Sequence, residues 1–320
     1  MKKAFRPVIC IVLAAAIMLS FSGCAKLSYV FGAAVEAVDD IKTGEWKKAD
    51  EAAFNESSVN DDPLVIDEFK AGNYCGIEFK TVDDVIKYYV EAYNKTKAKT
   101  AKYTDENGNV TEMYAFADEK HMEVKDILVE GKSNAVINKL IPKLLDSLYK
   151  PSTGGLHPCN AREPEKDVDE NNKSLLTCRV TAEDVLTANV TDNGDGTLTI
   201  AMQPKATEMS RVGMDPQGKF FTTLNDIGSV VEAVSVFSWA SGTTEENCKV
   251  VYKGGTAVVK IDTKSGEITE ADYNMIVYVN IKHANIAVVH DRSLSAVVDY
   301  RCHFPCSKEF FDKINVHPVD

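Results

Sequence analysis

Positive charge is scarce in this chain: 36 lysines and arginines stand against 48 aspartates and glutamates, a formal net charge of −12. That argues against nucleic acid as a partner, because binding it needs a basic face that displaces counterions. It also argues against adhesion of the body to anionic lipid. A long apolar run is missing as well. The uncharged stretch from Val8 to Met18 falls short of the ~20 residues a membrane-spanning helix needs. Catalytic signatures are equally thin. Gly131-Lys132-Ser133 has the tail of a phosphate-binding loop, but Asp126 stands where that loop needs a glycine, and an acid repels phosphate. No Gly-x-Ser-x-Gly elbow is present. Asp192-Asn193-Gly194-Asp195-Gly196 has the composition of a calcium loop without its alternate-residue spacing or its closing glutamate. His290-Asp291 are neighbours in a strand-like run, so they point to opposite faces. No internal repeat is visible. An enzyme is not expected, and no cofactor is implied.

What is present starts at the N-terminus. Lys2, Lys3 and Arg6 precede the apolar stretch, and small residues follow it up to Cys24, which is the order of an export signal rather than of a folded element. Phe21-Ser22-Gly23-Cys24 resembles a bacterial lipobox, whose cysteine is acylated and becomes the first mature residue. Loss of residues 1–23, with three basic residues and no acidic ones, leaves 297 residues carrying −15. The lipobox implies a cell-membrane protein, lipid-anchored on the extracytoplasmic face. Two acyl chains give durable anchoring where one does not. Residues 50–62 are polar and acidic, which suits a tether over 24–62, although a first helix packed on the body is also compatible. Residues 63–320 then form the folded body. Their length allows roughly 75% of the unfolded surface to be buried, and a hydrophobic content of 44% excludes a disordered chain.

Beyond Cys24 the mature chain holds Cys75, Cys159, Cys178, Cys248, Cys302 and Cys306. An even number outside the cytoplasm reads as up to three disulfides among 15 pairings. Cys159–Cys178 is the first candidate, closing a loop whose bridging is worth roughly 3 kcal/mol. Cys302 could pair with Cys306 or with Cys248, or the thiols could simply be buried. Cys302-His303-Phe304-Pro305-Cys306, with His283 and His290, has zinc-type donors. Cys302 and His303 point to opposite faces of a strand, however, so no metal site is expected.

Periodicity supplies the architecture. Thr81-x-x-Asp84 reads as a capping box opening a helix to about Lys99, with Val82, Val85, Ile86, Tyr89 and Tyr93 on one face. The lysines from Lys95 to Lys102 suit its C-terminus; a patch for an anionic polymer is the other reading. Residues 111–129 read as extended. A second helix is expected over 134–149, interrupted at Pro142, and a long surface loop over 150–173. Leu186, Ala188 and Val190, then Leu198, Ile200 and Met202, alternate around Asn-Gly and Asp-Gly, a hairpin signature. A third helix is expected over 223–239. The remainder reads as strands, among them one with Ala271, Tyr273, Met275, Val277, Val279 and Ile281 on one face. Another carries Leu294, Ala296, Val298, Tyr300, Cys302 and Phe304. The expected fold is α+β: a curved antiparallel sheet, a half-barrel-like meander, covered by about three α-helices.

The segment Thr81–Lys102 and the run from Val258 to Thr269, followed by a long strand, resemble segments of uncharacterised lipoproteins of Gram-positive anaerobes. That likeness spans most of 78–304 and brings no activity with it. The order of elements also resembles LolA-like half-barrel lipid carriers, where a curved sheet wraps helices around an apolar cavity. This likeness implies a non-enzymatic protein binding a lipid or other apolar ligand between sheet and helices, with Tyr273, Met275, Val277 and Val279 facing it. The alternatives are an ordinary packed core at those residues, and a surface module that binds an envelope protein or glycan.

Overall fold

The computed structural model describes residues 59–114, 119–135, 137–139, 178–221, 223, 237–286 and 289–319. The leader, Cys24, Cys159, the 150–173 loop and most of the second and third expected helices lie outside those residues. In chain order the elements begin with β1 (Gly72–Tyr74), β2 (Ile77–Phe79), α1 (Val82–Lys97), β3 (Thr100–Asp105), β4 (Val110–Tyr114), β5 (Glu119–Val129) and β6 (Lys132–Ser133). A single 3-10 turn, Ala182–Asp184, leads into β7 (Val185–Asp192), β8 (Thr197–Pro204), β9 (Thr207–Glu208), α2 (Pro216–Phe220) and β10 (Phe237–Trp239). The chain ends with α3 (Thr244–Asn247), β11 (Cys248–Tyr252), β12 (Thr256–Asp262), β13 (Glu267–Ile286), β14 (Val289–Phe304), α4 (Lys308–Ile314) and β15 (Val316–Pro318).

The fold is α+β and mainly β, with open antiparallel sheets. β13 is the spine of the main sheet. One of its edges pairs with β14 along most of its length. The other is served in succession by β12, β11 and β10. β8 and β7 extend the sheet beyond β12, while β5 and β6 extend it beyond β14. This is not the simple meander expected. The hairpins β7–β8, β12–β13 and β13–β14 hold, but β8 lies against β12 with β9 to β11 diverted elsewhere. The other flank of β14 is closed by β5, from far earlier in the chain. Where the second edge of β13 passes from β12 to β11, Lys253-Gly254-Gly255 crosses it closely. A Cβ on Gly255 would lie 2.7 Å from the Asn274 carbonyl oxygen, so only glycine fits. A separate three-stranded sheet, β15-β3-β4, brings the C-terminus back onto residues 100–105.

Among the described residues there are four α-helices and one 3-10 turn, about five helical elements rather than three, and α1 is the only one longer than seven residues. Its start obeys the capping box. Asp84 Oδ2 accepts from the backbone of Lys80 and of Thr81, both at 2.9 Å, and Thr81 Oγ1 accepts from the Asp84 N–H at 3.3 Å. The expected helix over 134–149 has helical backbone at 135 and 137–139. The expected helix over 223–239 is corrected at its end, since Phe237–Trp239 is strand β10, paired with Ile286 to Ala284. Phe237 fits the helical spacing of Val230 and Val234, but Phe237 and Trp239 equally fit a two-residue period, and pairing with β13 decides between them.

The core lies between α1 and one face of the sheet. Val85, Ile86, Tyr89 and Tyr93 meet Leu198, Ile200 and Met202 of β8, Ala257, Val259 and Ile261 of β12, and Tyr273, Met275 and Val277 of β13. Side chains of this size each contribute roughly 1.5–3 kcal/mol on full burial. A smaller cluster, Ile127, Val129, Ile137, Ala284 and Leu294, fills the far end of the sheet. One sequence expectation fails within β7. Leu186 is exposed, because a bulge between Val185 and Thr187 shifts the alternation by one residue.

The chain enters the body along the opposite face. Lys253 Nζ donates to the Asp61 carbonyl, and Asp62 accepts from the Ala206 and Gly254 backbones. Val65 N donates to Gln203 Oε1, and Asn189 Nδ2 donates to the Asp67 carbonyl. Residues 61–67 thus form a strap over β8 and β7 that turns the sheet edge before β1, β2 and α1.

Candidate functional site

The residues expected to face a ligand lie beneath α1. Tyr273, Met275 and Val277 are buried to 3%, 2% and 0% exposure, and Val279 is partly buried on the same face. α1 sits directly on them: the hydroxyls of Tyr89 and Tyr273 are 3.1 Å apart, and Tyr89 stacks on Phe220 of α2 at 6.1 Å and 11°. Burial foremost, with neighbouring Tyr273, Cys178 and Tyr93, raises the Tyr89 phenol well above its ordinary range. Tyr273, Met275 and Val277 are thus buried in one cluster with residues of α1 and α2.

Cys159, half of the first candidate pair, lies outside the described residues. No disulfide joins any two of Cys75, Cys178, Cys248, Cys302 and Cys306. The proposed Cys248–Cys302 bridge is excluded by register. Cys248 lies opposite Ile281 and Cys302 opposite Tyr273, on different edges of β13. That eight-residue offset along β13 spans about 26 Å, against a Cα separation of roughly 4–7 Å in a disulfide. Cys248 is buried, and burial pushes its thiol up to about 12. Cys75 is half-buried in the β1–β2 turn, where its Sγ donates to Asp192 Oδ1 at 2.9 Å. That hydrogen bond, then burial and the charges of Asp192 and Asp195, raise its thiol to about 11. Both thiols are therefore protonated and poor nucleophiles at neutral pH.

The chemical motifs resolve into structural roles. Asp192 Oδ2 accepts from the Cys75 backbone and Oδ1 from Gly194 N, while Asp195 Oδ1 accepts from Thr197 N. These carboxylates shape the β7–β8 turn. Glu130-Gly131, at φ 52° and 71°, is the tight turn joining β5 to β6, which places Gly131-Lys132-Ser133 in a hairpin and not a phosphate cradle. Lys95 bonds the Ser265 carbonyl and Lys99 pairs with Glu267 at 2.7 Å, so these members of the lysine run staple α1 to the β12–β13 turn. Cys302 is buried and His303 lies on the other face, bonded to Asp272 at 2.7 Å, as strand parity predicts. Asp291 is met by His283 at 2.8 Å across a bulge, not by its neighbour His290. Glu119 accepts from His121 at 2.8 Å and from Ser307, but that serine caps α4, so no nucleophile–base pair forms there. Among the described residues no three histidine, cysteine, aspartate or glutamate side chains gather as metal ligands. One Ser-x-x-Lys spacing, Ser147 to Lys150, lies outside the described residues.

No protein family, characterised protein or solved structure matches this chain. The likeness to lipoproteins of Gram-positive anaerobes therefore rests on the quoted segments alone.

Proposed function

We propose that the chain is an exported lipoprotein, acylated at Cys24, that displays a solid α+β module for interaction with an envelope protein or glycan. The observation that carries the choice of a module over a lipid carrier is the packing under α1. Tyr89, Tyr93, Phe220, Tyr273, Met275 and Val277 are buried in one cluster where the carrier reading needs a cavity, which favours the module. The bulges at Lys260/Ile261 and between Ile281 and Ile286 support a sheet that curves around α1. The function is binding rather than catalysis, on the extracytoplasmic face of the cell membrane.

Two measurements test this together. Mass spectrometry of the protein recovered from the membrane fraction should find a diacylated cysteine as the first residue; an uncut, unacylated chain in the cytosol defeats the anchor. Native mass spectrometry of the mature chain carrying Cys24→Ser should give the bare polypeptide mass. A stoichiometric lipid bound to that variant would restore the carrier reading.

A further inference from the structure

Seven large apolar side chains stand exposed among the described residues. Val110 and Val319 belong to the small β15-β3-β4 sheet. The other five, Leu64, Val65, Leu186, Met209 and Met214, stand on segments that backbone pairing and hydrogen bonds bring to the corner Pro204–Ala206 at the end of β8. The hydrogen bonds define that corner. Val65 N bonds Gln203, and Ala206 N bonds Asp62. The bulge that expels Leu186 lies opposite Gln203–Pro204. Met209 N bonds the Val250 carbonyl beside β9, and the loop carrying Met214 hangs on the corner through Gln217 Nε2, which donates to the Lys205 carbonyl at 2.9 Å. Leu64 and Val65 are about half exposed, at 48% and 50%, and Met214 is 75% exposed.

We propose that this corner is a membrane-contact surface, seated on the bilayer that carries the acyl anchor. The inference rests on acylation at Cys24. What identifies the occupant is where the outlying chain ends. The 37 residues from Cys24 to Asn60 join the body at Asp61–Asp62, immediately before Leu64, so the corner is the part of the body closest along the chain to the anchor. Tethering also supplies the affinity. Acylation at Cys24 would hold the body beside the bilayer whatever the form of residues 24–58, so a few apolar side chains entering the headgroup zone would suffice. Contact is apolar rather than ionic. Lys205 and Arg211 are exposed at the rim, but so are Asp67 and Glu208, and the chain as a whole is acidic. Zwitterionic lipid is accordingly enough.

The test replaces the natural anchor, so that its outcome does not depend on acylation. The mature chain, with a hexahistidine tag in place of Cys24, is held on phosphatidylcholine vesicles containing a nickel-chelating lipid. Hydrogen exchange is compared with that of the same chain in solution. Amides of 64–66, 185–187 and 209–214 should exchange several-fold more slowly on vesicles, while those around Val110 and Val319 keep their solution rates. Leu64→Asp with Met214→Asp, both at exposed positions, should abolish the slowing without changing the circular dichroism spectrum. Unchanged exchange at the corner overturns the proposal, as does equal slowing at Val110 and Val319. Slowing that follows protein concentration without vesicles also overturns it, since the occupant is then a second copy. Whether Cys24 is acylated is read separately from its mass.

Discussion

At the scale of single residues, the chemistry left on this body is largely that of restraint. Cys75 is within reach of solvent, yet its thiol donates to a carboxylate held in place by the Cys75 and Gly194 backbone N–H groups. Asp192 is correspondingly lowered, first by the Cys75 thiol and then by those backbone groups. With the thiol at about 11, roughly a thousandth is thiolate at pH 8. Asp192→Asn removes both the carboxylate acceptor and the nearest negative charge. It should accelerate reaction of Cys75 with a disulfide reagent at pH 8 by about 10- to 100-fold, the gain in thiolate being tempered by its lower nucleophilicity relative to pKa. Peptide mapping locates the modified residue, and an unchanged rate would remove Asp192 as the restraint. Both signs of pH dependence follow. The raised thiol contributes stability that is complete below its unfolded value near 9 and is lost as pH climbs through 11. The lowered Asp192 contributes above its ordinary value near 3.8 and fades as pH falls through its depressed one.

Elements whose rule is local were legible in the sequence, and those whose rule is a distant partner were not. α1 begins where Thr81 and Asp84 place it, because a capping box needs only four residues. Thr81→Ala should cost about 1 kcal/mol in a urea melt. Asp84 is held low, first by the Lys80 N–H and then by Thr81, so its share of the cap is present at neutral pH and lost in acid. Asp84→Asn should therefore flatten the acid limb of the stability curve. The β7–β8 hairpin and the apolar faces of β12, β13 and β14 were equally plain from their two-residue period. β10 was lost to a helical pattern that ends in it, and Leu186 was placed inside because a bulge leaves no local mark. The candidate site was legible as a face but not as an interior. Alternation aligns Tyr273, Met275 and Val277, while only the docking of Tyr89 and Phe220 shows that they are buried. Met275→Ala should then cost about 2–5 kcal/mol, as truncation of a packed methionine does. A loss under about 0.5 kcal/mol in a denaturant melt would mean that Met275 borders open space.

Across the whole molecule, the sequence suggests a tether up to residue 62 and a body after it, but the junction is itself structure. Asp62 joins the β8–β9 corner to the β11–β12 crossing, accepting from Ala206 N at 2.9 Å and Gly254 N at 3.2 Å. Gln203, with no exposure at all, commits its amide to the strap, accepting from Val65 N and donating to the Pro63 carbonyl. Nothing local in an acidic stretch announces this, since the partners lie roughly 140 to 190 residues away. A strap bonded this way has measurable consequences. The Val65 amide should exchange with deuterium far more slowly than an unstructured segment allows, because opening it means breaking the Gln203 bond. Asp62→Ala strands two backbone donors and should cost about 1–3 kcal/mol, with the added loss confined to 61–67, β8 and the 253–255 crossing in an exchange map. Because these same residues set Leu64 and Val65 on the β8 corner, the variant should also release any membrane-induced protection there while leaving α1 and β13 intact. If Val65 exchanges at the rate of a random chain in the wild-type protein, the strap is not part of the body, and the orientation inferred from it falls as well.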